Sequence, residues 1–236
     1  MDAAKSVTAN YSQNDYKVTT NVTGNGTVTG AGTSYHWGDT VNVTATPAAG
    51  WSLGTVTGDC SSVPCTLTIN GDKTVNVVFT QNSYVLTTAA SPVAGGTVTP
   101  ATGPVLSNTV VTVTQTPNAG YTFTGWSGDC TGTTTCSVTM DAAKSVTANY
   151  TQNAYKVTTN VTGNGTVTGA GTSYHWGDTV SVTATPAAGW SLGTVTGDCT
   201  SVPCTLTING DKTVNVVFTQ NSYVLDRKST RLNSSH

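Results

Sequence analysis

Residues 16–23 read YKVTTNVT, and the same eight residues return without change at 155–162. Tyr16, Val18 and Val22 occupy alternate positions, with polar residues between them. This period of two is typical of a β-strand with one buried face, because successive side chains point to opposite sides of a strand. The stretch therefore predicts a half-buried strand that opens a repeated unit.

Three signals divide the rest of the first unit into short strands. Asn25-Gly26 predicts a hairpin turn, because both residues tolerate positive φ. Pro47 ends the strand before it, since proline has no N–H to donate to a sheet. The alternation changes parity after Leu53, which predicts a bulge near Gly54. These patterns predict five or six strands in each unit and no helix.

The composition favours an all-β chain. The 236 residues are 36% hydrophobic and only 8% charged, and no Glu is present. Thr and Val, which favour strands, are abundant, whereas good helix formers are scarce. With a net charge of −2, the chain has no cluster of Lys and Arg that could neutralise nucleic-acid phosphates. No apolar run approaches the roughly 20 residues that span a bilayer, so we expect neither a nucleic-acid partner nor a membrane span.

The chain is an alternating array of two repeat types. Residues 1–86 recur at 140–225 with four differences: Ser12/Thr151, Asp15/Ala154, Asn42/Ser181 and Ser61/Thr200. Within this long period, successive units open at Tyr16, Tyr84, Tyr155 and Tyr223. We call the units that begin at Tyr16 and Tyr155 A-type, and the unit between them B-type.

These periods predict three complete domains of about 70 residues and three partial segments. The A-type repeats are 15–82 and 154–221, and the B-type repeat is 83–153. Residues 1–14 match the end of a B-type repeat, and 222–225 match its start. The remaining residues, 226–236, depart from the repeat and resemble the translation of a sequencing adapter, so we expect an artefactual, disordered tail. Linkers of the form Thr-Gln-Asn plus one residue join the units and restrict how far neighbours can tilt.

Six cysteines form three closely spaced pairs, one in each complete repeat: Cys60 and Cys65, Cys130 and Cys136, Cys199 and Cys204. A domain of this size has a small core and often needs a covalent link. We therefore expect a local disulfide in each repeat, worth about 2 kcal/mol in the chain-entropy model, and an oxidising, extracellular location. Zinc would need four ligands, and each repeat offers two cysteines with no His beside them, so no metal site is predicted.

His36-Trp37-Gly38-Asp39 recurs at 175–178 and supports two interpretations. The first is a turn with an Asp cap and a packed Trp. The second is a ligand-contacting aromatic surface formed by Tyr35, Trp37, Tyr174 and Trp176. The B-type repeat has Val-Leu-Ser-Asn at the comparable positions, without His or Asp. No set of acid, base and nucleophile recurs in all units, so we predict no enzyme, no catalytic residue and no cofactor.

An Asp precedes the first cysteine of every pair: Asp59, Asp129 and Asp198. A calcium ion requires six or more oxygen ligands, and one carboxylate in each repeat falls well short of that number. We therefore expect each Asp to lie in a turn and to accept a hydrogen bond from its own backbone.

The B-type repeat carries the motif of a known family. Residues 119–130 read AGYTFTGWSGDC, and residues 136–150 read CSVTMDAAKSVTANY. This sequence resembles the divergent internalin-type B repeats, and the similarity extends over almost all of 1–225. The A-type repeats depart from the motif at its Trp, where Val56 and Val195 stand. The resemblance implies small β-rich domains, β-grasp-like in related repeats, used in tandem on bacterial surface and secreted proteins. A small β-sandwich is the alternative, because the helix of a β-grasp is not visible in the sequence.

Two functions from different classes fit these observations. The first is a structural spacer, a stalk or an adhesin repeat region whose partners are other domains of the same surface protein. The second is a binding module appended to a secreted hydrolase, with host or cell-wall glycan or protein as its partner. Exposed and coplanar aromatic rings would favour the second function.

Overall fold

The computed structural model describes residues 2–223, and Met1, 224–225 and the predicted tail at 226–236 lie outside the described residues. In the described part, 23 β-strands and one short 3-10 turn account for all the regular structure. The prediction of a tandem all-β chain is therefore confirmed. Within these residues, no helix has the length and apolar character needed to cross a membrane.

The three repeats contain eight, seven and eight strands. In the first repeat these are β1 (Tyr16–Thr23), β2 (Gly26–Val28), β3 (Gly32–Tyr35), β4 (Thr40–Val43), β5 (Ala45–Pro47), β6 (Trp51–Gly58), β7 (Cys65–Thr68) and β8 (Lys73–Gln81). In the central repeat they are β9 (Ser83–Ser91), β10 (Gly96–Thr99), β11 (Gly103–Leu106), β12 (Val110–Pro117), β13 (Tyr121–Gly128), β14 (Cys136–Thr139) and β15 (Lys144–Gln152), with the 3-10 turn at Val93–Gly95. In the third repeat they are β16 (Tyr155–Thr162), β17 (Gly165–Val167), β18 (Gly171–Tyr174), β19 (Thr179–Val182), β20 (Ala184–Pro186), β21 (Trp190–Gly197), β22 (Cys204–Thr207) and β23 (Lys212–Gln220).

The main sheet of the first repeat has the strand order β3-β1-β8-β6. Its two central strands, β1 and β8, run parallel and pair from Val18 opposite Lys73 to Thr23 opposite Val78. The outer strands β3 and β6 are antiparallel to their neighbours. The first and last strands thus lie side by side, as in a β-grasp sheet. In place of the β-grasp helix, the repeat has two two-stranded sheets, β2-β5 and β4-β7.

The core of the first repeat packs the main sheet against the small sheets. On β8, Val75, Val77 and Phe79 are buried at alternate positions. They cluster with Val43 of β4 and with Ile69, which follows β7. Every second residue of the central strand therefore faces the core, as the period of two predicts. The third repeat contains an equivalent cluster around Ile208.

Two strand-level predictions were wrong, and one was confirmed. The Asn25-Gly26 turn does not form a hairpin, because β2 pairs with β5 and not with β1. Gly26 lies against the ring of Phe79, so the chain leaves the main sheet at this turn and crosses its buried face. The count of five or six strands was too low, partly because the predicted strand ending at Pro47 divides into β4 and β5. The predicted bulge near Gly54 is present as a register shift between Leu53 and Val56.

The central repeat keeps this plan with larger core residues. Its sheets have the strand orders β11-β9-β15-β13 and β10-β12-β14. Trp126 replaces the Val56 of the A-type repeat and is buried, with its indole N–H donating to the carbonyl of Thr134 at 2.9 Å. Tyr150 is also buried, and its ring meets the ring of Phe123 edge-on. Phe123 and Trp126 thus stand where the A-type repeat has the aliphatic Leu53 and Val56, whereas Tyr150 stands where it has Phe79.

The described residues group into two compact units, and the division runs through the central repeat. Val98–Thr114 and Trp126–Ala148 belong to the same unit as the first repeat. Ala90–Thr97 and Gln115–Gly125 belong to the unit that contains the third repeat. The junction between the first and central repeats therefore lies inside one unit, and the next junction lies inside the other.

Candidate functional site

Each complete repeat contains one disulfide bond. The structure joins Cys60 to Cys65, Cys130 to Cys136 and Cys199 to Cys204, and no cysteine of residues 2–223 is free. In the first repeat, Cys60 is buried in the core cluster, and Cys65 begins β7. The bond therefore fixes the loop between β6 and β7 to the core.

The Asp beside each disulfide connects two strands. The carboxylate of Asp59 accepts the backbone N–H of Thr74 at 2.7 Å, and its own N–H donates to the carbonyl of Thr74 at 2.8 Å. The ammonium of Lys73 lies 3.5 Å from the same carboxylate. Asp129 and Asp198 make the corresponding contacts. The prediction that this Asp bonds to its own backbone was therefore wrong, because β8 passes close enough to supply the donor.

Neither a pocket nor a metal-binding cluster is found in the part of the chain that the structure describes. Such a cluster would be a group of three or more His, Cys, Asp or Glu side chains that could hold a metal ion. The shortest ion pair of the described residues joins Lys144 and Asp141 at 2.8 Å. The hydrogen bond that Lys144 donates to Asp141 lowers the pKa of Asp141 and raises the pKa of Lys144. Asp141 is exposed and Lys144 is half-buried, so water screens the pair and it contributes little to stability.

The predicted aromatic surface divides into packed tyrosines and exposed tryptophans. The hydroxyl groups of Tyr35 and Tyr174 donate to backbone carbonyls of their own repeats, and both rings pack beside the core. The side chain of Trp37 is 66% exposed, and that of Trp176 is 45% exposed. In each A-type repeat, the indole contacts the ring of the Tyr that opens the repeat, with the two planes tilted by 58°. These neighbouring rings are not coplanar.

The turn that carries Trp37 has the predicted Asp cap. The carboxylate of Asp39 accepts the backbone N–H of His36 at 2.7 Å, and Asp178 accepts that of His175 at the same distance. In the first repeat, the His36 ring also lies 3.3 Å from Asp15. That contact has no counterpart in the third repeat, because Ala154 replaces the Asp. The cap therefore holds the turn in both A-type repeats, with the indole directed outward.

An asparagine fixes the end of each repeat to a glycine turn of the same repeat. The N–H of Asn82 donates to the carbonyl of Gly50 at 2.9 Å, and its side-chain oxygen accepts the hydroxyl of Ser52. Asn153 and Asn221 make the same pair of contacts with the turns at Gly120 and Gly189. The linker therefore leaves each repeat in a defined direction.

The first junction is closed by a buried serine. Ser107 of the central repeat is 1% exposed. Its hydroxyl donates to the carbonyl of Gly50 at 2.6 Å, and its backbone N–H donates to the carbonyl of Asn82 at 2.8 Å. The carbonyl of Ser107 accepts the side-chain N–H of Gln81, also at 2.8 Å. All the polar groups of this residue are thus satisfied by the preceding repeat and its linker.

Asn108 adds a further hydrogen bond to this junction. Its backbone contact also identifies the A-type residue that is equivalent to Ser107. Its side-chain N–H donates to the carbonyl of Ala49 at 3.0 Å. Its backbone N–H donates to the carbonyl of Met140, in the same way that the N–H of Gly177 donates to that of Ile208. Asn108 and Gly177 are therefore equivalent, and the residue before each, Ser in the B-type repeat and Trp in the A-type repeat, occupies one position of the fold.

The second junction uses that Trp. Gly120 of the central repeat has a φ of +81°, and a Cβ atom added to it would overlap the Cβ of Trp176. The third repeat thus places Trp176 on the glycine turn of the central repeat, as the central repeat places Ser107 on that of the first. We name this contact, between a glycine turn and the Ser or Trp of the next repeat, the joint.

Sequence reasoning missed the joint because its two partners lie more than 50 residues apart. One signal was available. All three repeats contain Ala-Gly followed by an aromatic residue. The residue that contacts this glycine in the next repeat is Trp in the A-type repeats and Ser in the B-type repeat. A comparison of the two repeat types at that position would have singled out Ser107.

The chain matches the model of a known protein family. The family model described as the divergent InlB B-repeat domain matches residues 16–83, 86–154 and 155–222. No curated protein matches the chain at a significant level. The three matched segments together account for most of the sequence.

Proposed function

The chain belongs to the divergent InlB B-repeat domain family, and we propose that it is a spacer or stalk, or an adhesin repeat region, of a secreted or cell-surface bacterial protein. Membership of this family suggests a surface-protein repeat region. The proposed role is mechanical and non-catalytic: the repeats separate other domains of the same protein from the cell.

The observation that carries this proposal is the closed first joint. A flexible linker would let successive domains swivel, whereas Ser107 is buried and makes three hydrogen bonds to the preceding repeat and its linker. Each such bond contributes about 1 kcal/mol, and breaking it inside a closed contact leaves a buried polar group unsatisfied. Motion between the first and central repeats is therefore resisted, as a spacer requires.

The disulfides support a location outside the cytoplasm. Disulfide bonds persist in oxidising compartments and are common in small secreted domains, whose cores are too small to suffice alone. All six cysteines of the chain are paired within their own repeats. We therefore propose an extracellular location.

Distance measurements between labels test the spacer role. One label is placed at Lys17 in the first repeat and the other at Thr112, an exposed residue of the central repeat that belongs to the same compact unit, and single-molecule energy transfer is recorded. A spacer gives one narrow distance distribution, and the Ser107→Ala/Asn108→Ala double variant broadens it. A distribution in the unaltered chain as broad as that of a flexible linker would overturn the proposal.

The exposed Trp37 favours a second candidate function, the binding of a host or cell-wall glycan. An exposed indole offers an apolar face to a sugar ring, and Trp37 is among the most exposed large apolar side chains of the described residues. Retention of the chain on cellulose, chitin or peptidoglycan, abolished by Trp37→Ala together with Trp176→Ala, would establish this function. Absence of retention on all three polymers would exclude binding to them.

A further inference from the structure

The two A-type repeats present the same Trp in two different situations. Trp37 and Trp176 stand in identical local sequences and make the same tilted contact with the Tyr that opens their repeat, at 6.3 and 6.4 Å between ring centroids. Their exposed fractions nevertheless differ, 66% for Trp37 and 45% for Trp176. The glycine turn of the central repeat lies against Trp176. Among residues 2–223, no such turn lies against Trp37.

From this difference we infer that Trp37 and its turn form a docking surface for the Asn-Ala-Gly turn of a B-type repeat, the turn found at 118–120. The occupied joint at Trp176 is the template for this contact, since both surfaces have the same residues. The docked repeat would cover Trp37 as Gly120 covers Trp176. The inference goes beyond the spacer role and does not depend on it.

The occupant is a B-type turn and not an A-type turn, because the two joints differ in the space between the glycine turn and the residue of the next repeat that contacts it. At the A-type turn, a Cβ on Gly50 would lie 2.5 Å from the hydroxyl oxygen of Ser107 and 2.6 Å from the side-chain nitrogen of Asn108. Ser107 is almost completely buried there, so an indole in its place would overlap the turn. A small hydroxyl residue therefore follows an A-type turn, and an indole follows a B-type turn. The lack of room at Gly50 accounts for the B-type repeat, and not a second A-type repeat, that follows the first A-type repeat.

The third repeat supplies Gly189 as a matched control for Gly120. Gly120 and Gly189 have nearly the same φ, +81° and +79°, which favours glycine at both positions. An added Cβ would overlap Trp176 at Gly120, whereas at Gly189 no atom of residues 2–223 lies within 4 Å. Gly→Ala at either position therefore imposes the same backbone strain, but only the change at Gly120 disturbs an occupied joint.

The test uses the full chain labelled with 5-fluorotryptophan, with each 19F resonance assigned by Trp→Phe substitution. The shift between H2O and D2O reports solvent access to each ring. The shift of Trp176 should be about a third smaller than that of Trp37, in proportion to the exposed fractions of 45% and 66%. Gly120→Ala should raise the Trp176 shift to the Trp37 value, and Gly189→Ala should leave both unchanged. Equal shifts in the unaltered chain, or no response to Gly120→Ala, would overturn the inference.

A second experiment supplies the proposed occupant. A copy of residues 83–139 is placed directly before Met1, which completes a B-type repeat with the residues that already match its end. The Trp37 shift should then fall to the Trp176 value, and the same extension carrying Gly→Ala at the copied position 120 should restore it. The copied Trp126 should give the same resonance as the native Trp126, which shows that the added repeat has folded. If it does so and the Trp37 shift is unchanged by the extension, the inference is contradicted.

Discussion

The hydroxyl of Ser107 donates a 2.6 Å hydrogen bond to the carbonyl of Gly50, a residue 57 positions earlier and in the preceding repeat. The same carbonyl also accepts the N–H of Asn82, at the end of the first repeat. One backbone oxygen thus receives a bond from its own repeat's linker and another from the next repeat. The glycine turn connects the end of one repeat to the beginning of the next.

Ser107→Ala should weaken the first joint and leave each repeat folded. The substitution removes one donor, but the carbonyl of Gly50 keeps its bond from Asn82, so we expect a loss of about 1 kcal/mol. Hydrogen exchange should increase at the backbone N–H of residue 107. The control is Ser137→Ala on β14, where the serine is exposed. An unchanged exchange rate at residue 107 would show that the side-chain bond does not hold the joint.

Trp176→Ala should destabilise the chain more than Trp37→Ala. Both substitutions remove the same contact with a Tyr of the same repeat, whereas only Trp176 also packs on a glycine turn. The difference in buried apolar area corresponds to a difference on the order of 1 kcal/mol in the free energy of unfolding. Urea denaturation of the two variants measures it. Equal losses would mean that the second joint contributes no stability.

Cys60→Ser together with Cys65→Ser should destabilise the first repeat by about 2 kcal/mol, the chain-entropy value for so short a loop. The third repeat has an almost identical sequence and keeps its disulfide, so it is an internal control. Hydrogen exchange measured by mass spectrometry separates the two repeats, because peptides that contain Asn42 or Ser181 differ in mass. Equal protection of the two peptides would contradict the prediction.

Tyr150 should make the central repeat sensitive to alkaline pH. Burial raises the pKa of its hydroxyl above the ordinary value, since a charged phenolate is poorly solvated there. Folding therefore favours the neutral hydroxyl of Tyr150. The resulting contribution to the free energy of unfolding is complete below the pKa that Tyr150 has in the unfolded chain, and it is lost as the pH rises through the pKa in the folded chain. Tyr150→Phe, which introduces the Phe79 of the A-type repeat, should flatten the decline in melting temperature above about pH 10. An unchanged decline would assign it to other tyrosines.

Local patterns in the sequence were sufficient for the fold class. The alternation at 16–23 predicts a strand, and the change of parity after Leu53 predicts the bulge, because both depend on the fixed period of a single strand. The paired cysteines and the motif at 119–130 are equally local. Each of these features involves residues that are close together in the chain.

The tertiary structure alone decided which segments pair and where the repeats meet. Asn25-Gly26 has the sequence of a hairpin turn, but packing of Gly26 against Phe79 directs β2 to β5. Ser107 is an unremarkable polar residue until the fold places it on Gly50. Strand partners and joints are contacts between distant residues, and a periodicity carries no information about what lies opposite a strand or a turn. The sequence by itself therefore determined the strands and their repetition, whereas three-dimensional packing determined how they are connected.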